Sequence, residues 1–498
     1  MAGKAHAPPR DVFGVKKKKH RRGSAREQYI PASLQGILSS FAGCFTRPSC
    51  ENFTALVSGW ILCQGRHCIS RVIQVAGGSG RAKHFSSLYR FLSRARWAAD
   101  EVGRVLFSLL LPWLSKDIEA LVDDTLCHRS GPHIFGAGMH HDATRSTYGR
   151  GTAAGRMAFF AFGQSWVVLA LRVPLPWDGS RGVAVPILFR LYRPKRRCSQ
   201  GSYRKRTELA LELLQLLESW IPVGNRLFVA GDAEYACKTL VRGLTKATTF
   251  VGPMAMDAAL YQPAGSYSGF GRPRKKGRRL ASPRQLANSS STRWTRMTVR
   301  IYGRRVKILL KTRRCLWYTV AGTRPVKMVV TRDPGGRIED RAYFATDPDI
   351  SIDELLQRFS RRWLIEVSFR DAKQCLGLED PQNGWGRRKA RAPRRRRRPG
   401  PQPRGRRGEI ATLHTLPLAF VAYAVVIAWY LQHGQREHDL RRVWRRAPWY
   451  RTKDTPSFSD MLVSLRRETW AGRLSENPMD RRARRKIRKR LCDALLAA

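Results

Sequence analysis

The stretch RTELALELLQLLESW (206–220), followed after IPVG by NRLFVAGDAEY (225–235), decides the fold. The first part spaces its leucines as an amphipathic helix does. The second is a short apolar run, read as a strand that ends in Asp232. Upstream, EALVDDTL (119–126) is another apolar run ending in acids, and RMAFFAFG (156–163), SWVVLALRV (165–173) and VAVPILFRLY (183–192) read as buried strands. Strands, a helix, then a strand, with acids at strand ends, predict an α/β sheet with its site at one edge.

Outward from this centre the texture changes. Residues 30–115 read as helical, with helical spacing in ALVSGWILC (55–63) and EVGRVLFSLLLPWL (101–114), and with GGSG (77–80) as punctuation. Residues 250–350 carry a Gly/Pro/Arg-rich stretch (265–280) and then four predicted strands, TRMTVRIYG (295–303), RRVKILLKT (304–312), CLWYTVAG (315–322) and PVKMVVTRD (325–333). The run RRKARAPRRRRRPGPQPRGRRGE (387–409) cannot fold alone. LPLAFVAYAVVIAWYL (416–431) falls short of the ~20 residues of a membrane span and reads as a buried helix. The expected division is a basic tail at 1–28, a helical domain at 29–116, α/β segments at 117–249 and 351–435 (with a basic loop at 386–409), a β-rich insertion at 250–350, and a basic helical region at 436–498.

Across 498 residues the net charge is +56, which demands a polyanionic partner. Counterion release on neutralising phosphates supplies the driving force, and charge alone does not choose between DNA, RNA and an anionic membrane. The ten cysteines lack a CxxC pair, and the spacings of Cys44, Cys50, Cys63 and Cys68 near His67 match no zinc module. Without an apolar leader in MAGKAHAPPR, the expected setting is a reducing cytoplasm.

Phosphodiester chemistry without a protein nucleophile needs converging carboxylates for hard divalent ions. Asp123 and Asp124 in LVDDT and Asp232 in FVAGDAEY end strands that neighbour in one sheet, although a lone Asp at such a position is usually a turn or cap residue. The third acid comes from ISIDELLQRFSRRWLIEVSFRDAKQCLGLE (350–379), which has helical character. At 100° per residue, Arg362, Glu366 and Lys373 fall at about −60°, −20° and −40° from Phe359, on one narrow face. Ile365, Phe369, Ala372 and Leu376 form an adjacent apolar stripe. The helix thus offers an acid flanked by phosphate-binding cations; the plainer alternative is a surface helix with Arg362–Glu366 and Glu366–Arg370 pairs.

Phe359, Arg362, Glu366 and Lys373 match the Y-(2)-R-(3)-E-(6)-K signature of DDE transposases in the insertion sequence 4 group. LVDDT and VAGDAEYA resemble that group's segments carrying the first and second catalytic Asp. The resemblance runs over roughly 30–435 and includes FTRPSCENFTALVSGWILC (45–63) and HFSSLYRFLSRARW (84–97). It implies a ribonuclease H-like catalytic domain split by a β-rich insertion in the 134 residues from Asp232 to Glu366. It likewise implies DNA binding for the helical domain at 29–116 and catalysis for the α/β segments at 117–249 and 351–435. It points to Asp124, beside Thr125, as the first ligand, with Asp123 a tuning neighbour. It gives Arg362 and Lys373 a role on the phosphates of element ends. The signature Tyr is Phe359 here, so its hydroxyl is missing. Trp294 and Trp317 are candidates for stacking on a flipped base, or core aromatics.

The resemblance further implies cut-and-paste transposition: binding of terminal inverted repeats in double-stranded DNA, hydrolysis at the ends, and joining of the 3′-hydroxyls to target DNA. Asp124, Asp232 and Glu366 would hold two Mg²⁺ ions, with Mn²⁺ able to substitute. A homodimer on paired ends in the bacterial cytoplasm is the expected assembly, with no membrane partner. The alternative is a DNA-end-binding repressor derived from a transposase and without catalysis.

Overall fold

The structure, a computed structural model, describes residues 30–76, 84–130, 134–142, 159–266, 269, 272–301, 303–381, 405–475 and 485. The basic tail, the GGSG stretch, and most of the runs at 387–409 and 480–490 lie outside the described residues. Five helices come first: α1 (Ala32–Ser39), α2 (Arg47–Leu62), α3 (Ile69–Val75), α4 (Phe85–Ser93) and α5 (Ala99–Leu110). Then follow β1 (Asp117–His128), β2 (Gly138–His141), β3 (Phe160–Leu175), β4 (Asp178–Tyr192), α6 (Arg206–Glu218), β5 (Arg226–Gly231), α7 (Lys238–Gly243) and β6 (Thr249–Met254). The insertion contributes β7 (Leu260–Tyr261), β8 (Arg279–Leu280), α8 (Pro283–Asn288), β9 (Thr295–Ile301), β10 (Arg304–Leu316), α9 (Tyr318–Ala321), β11 (Pro325–Arg332) and β12 (Arg341–Ala345). The described chain closes with α10 (Ile352–Arg361), α11 (Trp363–Leu376), α12 (Arg406–His433), α13 (Arg436–Arg446) and α14 (Phe458–Ser475).

The expected α/β sheet is present, and it is larger than expected. β4, β3 and β1 pair antiparallel, β1 and β5 parallel, and β5 and β6 parallel. β6 then pairs antiparallel with β12, and β12, β11 and β10 continue outward, so the insertion extends the same sheet instead of forming a separate one. β12 carries no long apolar run and was not anticipated; its register against Met254 makes the join. Residues 160–163 of RMAFFAFG and all of SWVVLALRV, read as two strands, belong to the single strand β3, while residues 156–158 lie outside the described residues. Val167–Leu171 are fully buried, because helices cover this part of the sheet on both faces. CLWYTVAG is not a strand: β10 ends at Leu316 and the chain turns into α9.

α12 is the hub of the helical layer. Its 28 residues are long and apolar enough to cross a membrane, yet nine-tenths of the apolar window is buried inside the protein. α1, α2, α4, α5, α11, α14 and β4 pack around it. The N-terminal helices therefore share one hydrophobic core with the sheet and α12. Phe420 illustrates the packing: it stacks on Phe189 of β4 at 5.1 Å and meets Phe369 of α11 edge-on at 6.2 Å. Burying each such side chain contributes roughly 1.5–3 kcal/mol, so α12 fixes α11 against the sheet.

Candidate active site

Asp123 and Asp124 lie inside β1, not at its end. β3 pairs with β1 as far as His128↔Gly163, whereas the parallel pairing with β5 stops at Val122↔Gly231. The two acids thus stand where the β5 side of the strand opens, and Asp232 leaves β5 beside them. Gly231 has no room for a side chain, since a Cβ there would meet Tyr235 Cβ at 2.9 Å and Val122 Cγ1 at 3.2 Å. Asp232 then closes the turn, its Oδ1 accepting the N–H groups of Glu234 (2.9 Å) and Tyr235 (3.3 Å).

Successive strand residues face opposite ways, and this separates the two aspartates. Asp123 faces α11. Arg362 donates to its Oδ2 at 2.8 Å and to Oε1 of Glu366 at 2.7 Å, bridging the two acids. Asp124 faces α6. Ser165 Oγ donates to its Oδ2 at 3.2 Å and Arg206 Nε lies 3.5 Å from the same oxygen. Arg206 also sits 3.6 Å from Glu234 and over the ring of Tyr192 at 4.6 Å. Asp232 interacts electrostatically with both aspartates.

The helix expected over 350–379 is broken. Backbone bonds Arg362 N–H to Phe359 O and Ile365 N–H to Arg362 O (both 3.1 Å) tighten the chain between α10 and α11. Arg362 sits at this junction and reaches Asp123 of β1, and Glu366 lies in the first turn of α11. The apolar stripe Ile365, Phe369, Ala372 and Leu376 is buried as the spacing suggested. Lys373 reaches farther along β1, donating to Leu126 O at 2.7 Å and lying 3.5 Å from Glu379. Phe359 is apart from the acids and packs on Tyr343 of β12 at 4.7 Å. Trp317 is buried edge-on against Phe344, and Trp294 is flanked by Lys311 and Arg332. Arg206, Ser165 and Glu234 were not singled out from the sequence. Arg206 opens the amphipathic helix at 206–220, whose periodicity marks its apolar face and says nothing of its first residue.

A family model described as DDE superfamily endonuclease matches residues 40–306. The chain belongs to the DDE superfamily endonucleases. The matched part of this DDE endonuclease contains Asp123, Asp124 and Asp232, while Arg362, Glu366 and Lys373 lie beyond it. No curated protein matches the chain. Among solved structures it is similar to a piggyBac transposase synaptic complex with hairpin DNA, determined by cryo-EM. The identity is 11% and the TM-score 0.35, with 92% of this chain and 80% of that one covered.

The electrostatics of the DDE endonuclease centre are those of crowded negative charge. Burial pushes the Asp123 carboxyl well above the usual carboxylate range; Arg362 opposes this, and Asp232 and Asp124 add to it. Burial likewise raises Asp124, against the pull of Arg206. Burial raises Glu234, again opposed by Arg206. Among the described residues, no three His, Cys, Asp or Glu side chains are close enough together to clasp an ion. Two guanidinium groups stand among the acids instead. The donor set is carboxylate oxygen throughout, which suits a hard divalent cation. The Asp123 and Asp124 carboxyls are raised chiefly by burial, with the neighbouring acids adding to it and Arg362 and Arg206 opposing it. In chemistry the residues fit such an ion.

Proposed function

We propose that this DDE endonuclease is a cut-and-paste DNA transposase of the insertion sequence 4 group, acting through Asp124, Asp232 and Glu366. The observation that carries the reading is Arg362 bridging Glu366 of α11 to Asp123 of β1 where the β1–β5 pairing opens, with Asp124 next along the strand and Asp232 coupled to both aspartates. A ribonuclease H-like catalytic domain is the corresponding fold. The antiparallel β4–β3–β1 set joined to parallel β5 and β6 supports it. Two Mg²⁺ ions, or Mn²⁺, held by those three acids would activate water or a 3′-hydroxyl and stabilise the leaving oxygen.

The remaining roles belong to the chain's own side chains. Asp124 is the more accessible aspartate of the pair, with side-chain exposure of 24% against 13% for Asp123, and its contacts are longer. Asp123 is engaged in holding Arg362. Arg362 and Lys373 bind phosphates of the element end, and Glu366 exchanges its guanidinium partner when the site is loaded. Phe359 keeps the packing of the signature Tyr without its hydroxyl. The substrates are terminal inverted repeats and target DNA, handled by a homodimer in the bacterial cytoplasm.

The test is Mg²⁺-dependent cleavage of a labelled element end. Asp124→Asn, Asp232→Asn and Glu366→Gln each abolish cleavage while end binding survives. Full cleavage by any of the three would remove that residue from the site. Arg362→Ala and Lys373→Ala weaken end binding and flatten its salt dependence.

A further inference from the structure

β9 is an edge strand that pairs only with β10 among the described residues. Its pairing covers Arg304–Leu310 of β10, whereas β11 pairs with β10 only from Leu309 onward. Residues 304–308 with β9 therefore form a two-stranded ribbon that projects past the end of β11. One face of the ribbon is apolar: Val299 and Ile308 are buried, and α10 packs there with Leu355, Leu356 and Phe359 in the same cluster. The opposite face carries Arg296, Thr298 and Arg300 on β9 and Arg305 and Lys307 on β10, all exposed.

This face is poorly designed for water alone. Arg300 is directly opposite Arg305, a like-charge cross-strand pair that destabilises a ladder. Lys307 faces Thr298 and lies diagonal to both Arg296 and Arg300. Elsewhere in the insertion, Arg314, Arg332 and Arg337 are each paired with an aspartate. Among the described residues, no ion pair involves Arg296, Arg300, Arg305 or Lys307. Four cations thus stand on a surface about 4.8 Å wide between strands and ~6.8 Å per step along them, with no acid of the described residues in ion-pair contact with them.

We propose that this face of the β9–β10 ribbon is a docking surface for B-form duplex DNA. Charge complementarity selects a polyanion, and shape selects B-form DNA. A major groove about 12 Å wide admits a two-stranded ribbon, whereas the deep, narrow major groove of an RNA duplex does not. The cations neutralise phosphates on the groove walls. The ribbon's other face rests on α10, whose C-terminal end leads through Arg362 into α11, the helix that carries Glu366. The inference shares with the proposed function only the choice of DNA as partner.

The experiment uses the full chain with Arg296, Arg300, Arg305 and Lys307 all changed to Thr, a residue suited to strands. Dissociation constants for a DNA duplex and for an RNA duplex are measured from about 50 to 200 mM salt. The expected result for DNA is a log–log salt slope shallower by about 3–4, at ~0.9 for each cation withdrawn. The free variant melts at the same temperature as the native chain or higher, because a like-charge pair is gone. A melting temperature that falls would assign the four cations to folding, and an unchanged slope on DNA would overturn the proposal. So would native-chain binding of the RNA duplex as tight as that of DNA. A chain that cuts DNA with an unchanged slope keeps the nuclease reading and loses this one. A chain that never cuts yet shows the shallower slope does the reverse.

Discussion

Arg362 donates to Asp123 at 2.8 Å, while the next residue of the strand, Asp124, turns to the opposite face of the sheet and meets Arg206. Two adjacent acids of one strand are thereby given different neighbours. Asp123→Asn is expected to retain a reduced level of Mg²⁺-dependent cleavage, and Asp124→Asn to retain none. The reverse pattern would move the first ligand position to Asp123.

Arg362 also bridges to Glu366, so it neutralises two acids at once. Arg362→Ala should lower the stability of the metal-free protein by roughly 3 kcal/mol, the lower end for breaking a buried pair, because Glu366 is partly exposed. Added Mn²⁺ should restore much of the loss by binding the freed carboxylates. The check is thermal melting with and without the ion; a variant whose melting temperature ignores Mn²⁺ would argue against a cation site at these acids.

Phe420 ties β4, α12 and α11 together through its two ring contacts. Phe420→Ala should cost about 3–5 kcal/mol of unfolding free energy. Denaturant unfolding measures it, and a loss below about 1 kcal/mol would mean that the ring is not where the structure has it.

His414 is buried on α12, stacked on Trp97 at 4.1 Å, with its ring nitrogens facing the carbonyls of Leu92 and Trp97. Burial dominates and pushes its pKa down to about 4, against the raising effect of those carbonyls. The unfolded chain, with a His pKa near 6.5, takes up the proton first. Its contribution is therefore complete above pH ~6.5 and is lost as pH falls toward 4, approaching roughly 3 kcal/mol at about 1.4 kcal/mol per pKa unit. His414→Gln should flatten the melting temperature against pH between those limits. Parallel curves for the two proteins would refute the assignment.

The sheet around β1, β3, β4 and β5 was legible because short apolar runs mark the cores of its strands, although β3 and β4 extend well past them, and a helix with its own period separates them from β5. The acids were legible for a related reason, being charged residues at the edge of runs that exclude charge. The facing of Asp123 and Asp124 was not, since composition is symmetric between neighbours and only the register of β3 and β5 breaks the tie. The 3₁₀-like break at Arg362 was hidden because SRRWLIE has good helical propensity throughout. β12 was missed because RAYFA owes its place to pairing with β6, a long-range contact with no local signal.

The shared core around α12 sets an order of events during synthesis. Trp60 of α2 donates to the Leu376 carbonyl, and α1, α2, α4 and α5 bury their apolar faces on a helix made some 350 residues later. At roughly 5–20 residues per second the ribosome needs on the order of tens of seconds to supply it. Until then the first helices offer bare apolar surface to chaperones. α11 also leans on α12, so the helix that carries Arg362 and Glu366 gains its full packing against the sheet only once α12 has been made.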